Sequence, residues 1–210
     1  MYPKVEHLVQ RAEAKGVRVR AIARATGGMG GDLLQSGARA KLKPFPYRDL
    51  EELLDEDGAG LIVVLDHVFD PRNLGAAVRA ALAAGSRGVV IPKDRAAQVT
   101  PAVEVAAAGA CAHLPIARVV NVRRALDSIR AMDFWVVALD QRAEANLFRS
   151  SLPSRLALVV GGEEGLSRLV HESVDQTVRI PTDPRVESLN LAVAMSIACF
   201  WWSKDYQPWS

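Results

Sequence analysis

From Leu61 onward the chain repeats one pattern: a short run of aliphatic and β-branched residues, a polar turn, a helical stretch, then the next apolar run. Strands covered on both faces by crossover helices read as continuous apolar runs, whereas half-wet strands alternate. The pattern therefore predicts an α/β fold, a mostly parallel sheet flanked by helices. Strand candidates are LIVVLDHV (61–68), GVVIP (88–92), HLPIARVV (113–120), FWVVALD (134–140), LALVVGG (156–162) and QTVRIP (176–181). Helices are expected at 73–84, 101–109, 122–132, 167–174 and 189–203. Asn73 is the predicted cap of the first, and Gly85 its left-handed terminator. The last, LAVAMSIACFWW, is apolar over much of its circumference, which places it in the core or in a subunit interface.

Before Leu61 the signals are weaker. An amphipathic helix is expected near 4–15, a strand near 17–23 and a Gly-rich break at GGMGG (27–31). KPFPYRDLEELLDEDGAG reads as a linker followed by a short helix. The domain plan is a basic region at 1–45, a linker at 46–60 and a main domain at 61–210. Residues 1–48 hold ten Lys or Arg against Glu6, Glu13 and Asp32, although the whole chain carries only +2. Such a basic stretch suits phosphate contacts, with Arg18, Arg20, Arg39, Lys41 and Lys43 as candidates, or it is a solvated surface.

The 210 residues are half hydrophobic, with no apolar run of the ~18 residues that a membrane-spanning helix needs. No membrane partner is expected. MYPKVEHLVQRAEAKG alternates charged and apolar residues and does not read as a signal peptide, so a cytoplasmic location is expected. Cys111 and Cys199 sit in apolar surroundings, as buried thiols of a reducing compartment would. The four histidines are dispersed without metal-ligand spacing, and no metal is expected.

Three segments carry candidate chemistry. DPRNLGAAVR (70–79) follows a strand and opens a helix, placing Asn73 and Arg79 on one helix with Gly75 open to a close approach. VVGGEEGLS (159–167) runs from a strand into a Gly-rich turn with two carboxylates. It lacks the Lys-Ser/Thr of a phosphate-binding loop and the spacing of a dinucleotide fingerprint. At a strand's carboxyl end, such a turn suits a flat ligand such as adenosine. IPTDPRVESLNLAVA (180–194) leads through a proline-containing loop to Ser188-Leu189-Asn190 at the start of the last helix, with Ser188 as its predicted cap. Taken singly, the three have plain structural explanations: a helix cap, a tight turn and another helix cap.

In this order and spacing, DPRNLGAAVR, GGEEGLS and IPTDPRVESLNLAVA resemble the three motifs of the SpoU (TrmH-type) branch of the SPOUT RNA methyltransferases. The resemblance spans about Leu61 to Trp202. It implies a C-terminal deep trefoil knot, which general topology rules would not suggest, and S-adenosyl-L-methionine bound by the knot loops. It also implies a homodimer that completes the active site. By the same resemblance, Gly161, Gly162, Glu163, Ile180, Pro181, Leu189 and Asn190 would hold the cofactor. Asn73, Arg79, Glu163, Ser188 and Asn190 would form the catalytic surface. The upstream region, VEHLVQRAEAKGVRV and LLQSGARAKLKPFPYRDLEELL, is similar to the end of the family's small RNA-binding domain but shorter than the whole of it. Two departures stand out: the GGEEGLS turn is one residue short of the usual form, and Pro184 replaces the usual glycine.

The implied reaction is in-line methyl transfer to a ribose 2′-hydroxyl of structured RNA, ribosomal RNA ahead of tRNA. An arginine is a poor proton acceptor, so Arg79 is read as stabilising the developing alkoxide or fixing a phosphate, with the proton leaving through Glu163 or water. The alternatives are a tRNA ribose methyltransferase, an antibiotic-resistance ribosomal RNA methyltransferase, a catalytically silent RNA-binding or assembly protein, and an unrelated nucleotide-binding enzyme. Retention of Asn73, Arg79, Glu163 and Ser188-Leu189-Asn190 argues against a silent protein.

Overall fold

The computed structural model describes residues 3–20, 43–55 and 57–206. The chain divides into two compact units, Met1–Pro44 and Phe45–Ser210. In the first, α1 (Pro3–Ala14) matches the expected amphipathic helix. The strand expected near 17–23 does not form over 17–20, which has no ladder partner among the described residues, and 21–23 lie outside them. GGMGG, Arg39 and Lys41 also lie outside the described residues, whereas Arg18, Arg20 and Lys43 are exposed.

The second unit is built on six parallel strands in the order β3-β2-β1-β5-β4-β6. They are β1 (Gly60–Asp66), β2 (Gly88–Pro92), β3 (Ile116–Val119), β4 (Trp135–Leu139), β5 (Arg155–Gly161) and β6 (Gln176–Val178). The helices are α2 (Leu50–Leu54), α3 (Pro71–Ala83), α4 (Pro101–Ala107), α5 (Val122–Arg130), α6 (Arg168–His171) and α7 (Leu191–Tyr206). Successive residues of a strand face opposite sides, and β1 shows the result. Leu61, Val63 and Leu65 join the core formed with α3, α4 and α7, while Ile62 and Val64 join the one formed with α2, α5 and α6. The stretch expected as a linker at 46–60 contributes Leu50, Leu53 and Leu54 to that second core.

Several boundaries move for identifiable reasons. Asp70, not Asn73, caps α3: its Oδ1 accepts from the Arg72 amide at 2.8 Å. Pro71 lacks an amide to satisfy and presets the first helical turn. Gly85 ends α3 at φ +72, as expected. Gly75 permits a close approach, and what approaches is α4: an added Cβ would stand 2.5 Å from Ala106 Cβ and 2.7 Å from the Val103 carbonyl oxygen.

β6 stops at Val178 because the Arg179 amide turns away to the Ala145 carbonyl at 2.8 Å. The helix expected at 167–174 is a single turn, and Ser173 Oγ takes the Leu169 carbonyl at 2.6 Å, the local competition that shortens helices. α7 buries Met195, Ala198, Cys199 and Trp202 and leaves Val193 and Phe200 about half exposed (49% and 47%). Both cysteines are buried and free, and burial pushes the Cys199 thiol up to about 12. Among the described residues no helix is long and apolar enough to cross a membrane.

Candidate active site

In a parallel sheet all carboxyl ends lie along one edge, where ligands of open α/β folds bind. A cleft of about 1210 Å³ opens there, bordered by the ends of β4, β5 and β6 and the start of α7. Of the residues expected to bind cofactor or act in catalysis, Asn73, Gly161, Gly162, Glu163, Ile180, Ser188, Leu189 and Asn190 line it. Pro181 does not. Arg79 does not either: it is exposed on α3, six residues beyond Asn73 and therefore about 9 Å further along the helix axis. Its side chain has no hydrogen-bond or ion-pair partner among the described residues.

The turn after β5 is a tight reversal in which the Gly165 amide donates to the Gly162 carbonyl at 2.9 Å, with Glu163 and Glu164 at its tip. It lies hard against β1. An added Cβ at Gly162 would stand 2.0 Å from the His67 carbonyl oxygen, and one at Gly161 2.3 Å from the Gly165 backbone. These glycines are therefore required by backbone contact within the protein.

Asp66, fully buried at the end of β1, fastens the two segments together. Its Oδ2 accepts from the Ser167 amide at 2.7 Å, its Oδ1 pairs with His67 Nδ1 at 2.6 Å, and its carbonyl accepts from the Gly162 amide at 2.8 Å. A buried carboxylate is tolerated where it is paired and hydrogen-bonded. His67 holds φ +57, a left-handed conformation that non-glycine residues adopt at a cost.

Three side chains from three distant segments form a directed chain across the cleft's edge. Asn190 Oδ1 caps α7 by accepting from the Ala192 amide at 2.9 Å and the Val193 amide at 3.4 Å. Asn190 is thus the cap, not Ser188, which stands exposed. Asn190 Nδ2 donates to Asn73 Oδ1 at 3.0 Å, and Asn73 Nδ2 donates to Glu163 Oε1 at 3.0 Å. The Phe69 amide donates to Glu163 Oε2 at 3.5 Å. Burial works against ionisation of Glu163, but it is outweighed by hydrogen bonds from its own amide, from Asn73 and from the amides of Phe69 and Asp70. The net effect holds the carboxyl below its usual range.

Sequence reasoning overlooked Asp66 and the segment after β4, where Asp140 and Glu144 border the cleft and Asp140 pairs with His171 Nε2 at 3.2 Å. A carboxylate ending an otherwise apolar strand, LIVVLD, was the available signal for the first. The rule that ligands gather at strand carboxyl ends was the signal for the second.

Residues 60–200 match the SpoU rRNA Methylase family. This chain belongs to that family. SpoU relatives include 23S rRNA (guanosine-2'-O-)-methyltransferase RlmB of Xylella fastidiosa (strain 9a5c), 39% identical over 197 residues, covering 91% of this chain and 79% of that protein. The RlmB of Salmonella typhi is 37% identical over 171 residues, covering 80% and 70%. The SpoU fold is likewise shared with the AdoMet-bound rRNA methyltransferase from Sinorhizobium meliloti, with a TM-score of 0.76 at 26% identity over 97% of this chain and 78% of that one. The SpoU methyltransferase AviRb from Streptomyces viridochromogenes, in complex with AdoMet, superposes with a TM-score of 0.71 at 26% identity, covering 76% and 65%.

Proposed function

We propose that this chain is an RNA methyltransferase that moves a methyl group from S-adenosylmethionine to the ribose 2′-hydroxyl of a guanosine in 23S rRNA, in the cytoplasm. The observation that carries the reading is the chain Asn190–Asn73–Glu163, which sets two amides and a carboxylate on the border of a cleft large enough for a nucleoside-sized cofactor. The similarity to the RlmB enzymes supports the substrate.

The cleft fits the cofactor chemically. Val160, Ile180 and Leu189 offer apolar surface to an adenine, and Glu163 and Glu187 offer negative charge to a cationic sulfonium. Bound there, S-adenosylmethionine supplies an electrophilic methyl group. Gly161, Gly162, Ile180, Leu189 and Asn190 would hold it.

The role of this chain's residues is positional and electrostatic. Asn190 fixes the orientation of the Asn73 amide, and Asn73 in turn fixes Glu163. Both oxygens of Glu163 already accept hydrogen bonds, and its depressed pKa makes it a weak base. The hydroxyl proton therefore passes to water, and Glu163 serves as a fixed negative charge. Arg79 acts as a cation that stabilises the developing alkoxide. Because Arg79 lies outside its own chain's cleft, a second copy delivers it there. The half-exposed Val193 and Phe200 on α7 suit such a homodimer.

In the test, unmethylated 23S rRNA and tRNA are each incubated with labelled cofactor and 2′-O-methyl positions are mapped, for the wild type and for mixtures of Arg79→Ala with Asn73→Ala. Each variant alone should lose on the order of 100-fold in turnover, while the mixture regains activity because one site of each mixed dimer keeps both groups. Methylation confined to tRNA would overturn the substrate, and a mixture no better than its components would overturn the shared site.

A further inference from the structure

The cleft occupies the β4, β5 and β6 side of the sheet's carboxyl edge. On the other side of Glu163, in the strand order β2-β1-β5, lie the turn that follows β1 and the loop that follows β2. Phe69 is the outermost residue of the first. Its side chain is 50% exposed, while its neighbour Val68 is buried and its amide reaches Glu163. The turn is held from several directions: by Asp66 beneath, by the Asp70 cap, and by the Ala97 amide donating to the Val68 carbonyl at 2.7 Å. An aromatic ring on so well fixed a backbone, with half its surface in water, contributes little to the core.

The Ala97–Val68 bond also ties this turn to the loop Lys93-Asp94-Arg95. Both Lys93 and Arg95 are exposed, and among the described residues neither forms an ion pair. Arg95 adopts φ +54, so the loop bends at this residue. The rim therefore presents an aromatic ring whose own amide reaches Glu163 and, on the loop tied to the same turn, two cations without ion-pair partners among the described residues. The His67 ring stands 6.4 Å from that of Phe69 and is tilted by 44°, so the two rings do not stack face to face and Phe69 stays half exposed.

RNA that must present one ribose to a site is recognised through unstacked bases laid on aromatic rings and through phosphates met by cations. We propose that Phe69 is the platform on which the base of the methylated nucleotide stacks, and that Lys93 and Arg95 hold the phosphates flanking it. The inference rests on the reading of the chain as an RNA methyltransferase and adds to it where the substrate lies. Phe69 is then a substrate-positioning residue that strengthens binding equally before and during methyl transfer.

The test measures kcat and KM for in vitro-transcribed 23S rRNA, together with calorimetric affinity for S-adenosylmethionine, in Phe69→Ala, Phe69→Leu, Phe69→Trp and the double variant Lys93→Ala/Arg95→Ala. Phe69→Ala should raise KM roughly ten-fold with kcat and cofactor affinity close to wild type. Phe69→Trp should restore KM, and Phe69→Leu should not, because only a flat ring stacks. The double variant should raise KM and flatten its dependence on salt, by about 0.7 in logarithmic slope for each phosphate that is no longer neutralised.

An unchanged KM in Phe69→Ala, rescue by leucine as good as by tryptophan, or an unchanged salt slope in the double variant would overturn the proposal. Failure of the parent reading is distinct: wild type itself would transfer no methyl group to RNA. Filter binding of the same RNA to the same variants then still decides the contact surface.

Discussion

The turn at 161–167 and the loop at 181–189 both border the cleft, yet they are held in opposite ways. The end of β1 and the start of α3 grip the turn: the Asp66 carboxylate accepts from the Ser167 amide, its carbonyl accepts from the Gly162 amide, and Asn73 on α3 donates to Glu163. The loop is exposed from Pro181 to Ser188, and its polar bonds are local, chiefly between Asp183 and Arg185 two residues away. One wall is thus fixed by distant parts of the fold, whereas the other is restrained mainly by itself. The cleft therefore has a preformed wall on the β5 side and a compliant one on the side leading to α7.

Substitutions on the two walls should therefore differ in size. The largest effect is expected from Gly162→Ala, because the added methyl would stand 2.0 Å from the His67 carbonyl oxygen and the backbone just after β1 would have to move. About 3 kcal/mol of stability should be lost, with cofactor binding, as read by chemical denaturation and calorimetry. Near-wild-type values for both would show that the turn is not held as described.

A smaller effect is expected on acidification. The fold depresses the pKa of Glu163, so its contribution is complete above the unfolded-state pKa of about 4.3 and is lost as pH falls through the lower folded-state value. Glu163 is largely exposed and solvent screens the effect, so the shift should be modest. Glu163→Gln should show a flatter decline in unfolding midpoint than wild type below that pH, and parallel acid curves would refute the assignment.

The smallest effect is expected from Arg185→Ala. Arg185 holds the Asp183 carboxyl down at about 2, but both groups are exposed and lie in one short segment. A pair so local can also form in the unfolded chain, so the thermal midpoint should not move. A clear drop would mean that the loop is braced as firmly as the turn, and the contrast would disappear.

The centre of the sheet was legible in the sequence because β1, β2 and most of β5 are buried on both faces and so appear as unbroken apolar runs; β2 was read to the residue. Ends decided by a single bond were not legible, such as Arg179 leaving β4 for Ala145. The motifs located Asn73, Glu163 and Asn190 in one cleft but misassigned two caps. Asn, Asp and Ser are all good caps, and only the fold shows which is placed to act. Asp70 wins at α3 because Pro71 starts the helix there, and Asn190 wins at α7 because its other amide group is needed by Asn73. Asp66 was missed because it looks like the last residue of a strand. Its importance comes from Ser167, 101 residues away.

Asn73 and Asn190 are separated by 117 positions, with Glu163 between them in the chain. During synthesis the first of the three leaves the ribosome well before the last. At about 5–20 residues per second, the wait is on the order of ten seconds. Throughout that interval the nascent protein carries the Asn73 amide on α3 without the Asn190 group that donates to it. If that pair orients the site as proposed, a growing chain stays inactive until its final helix has folded back.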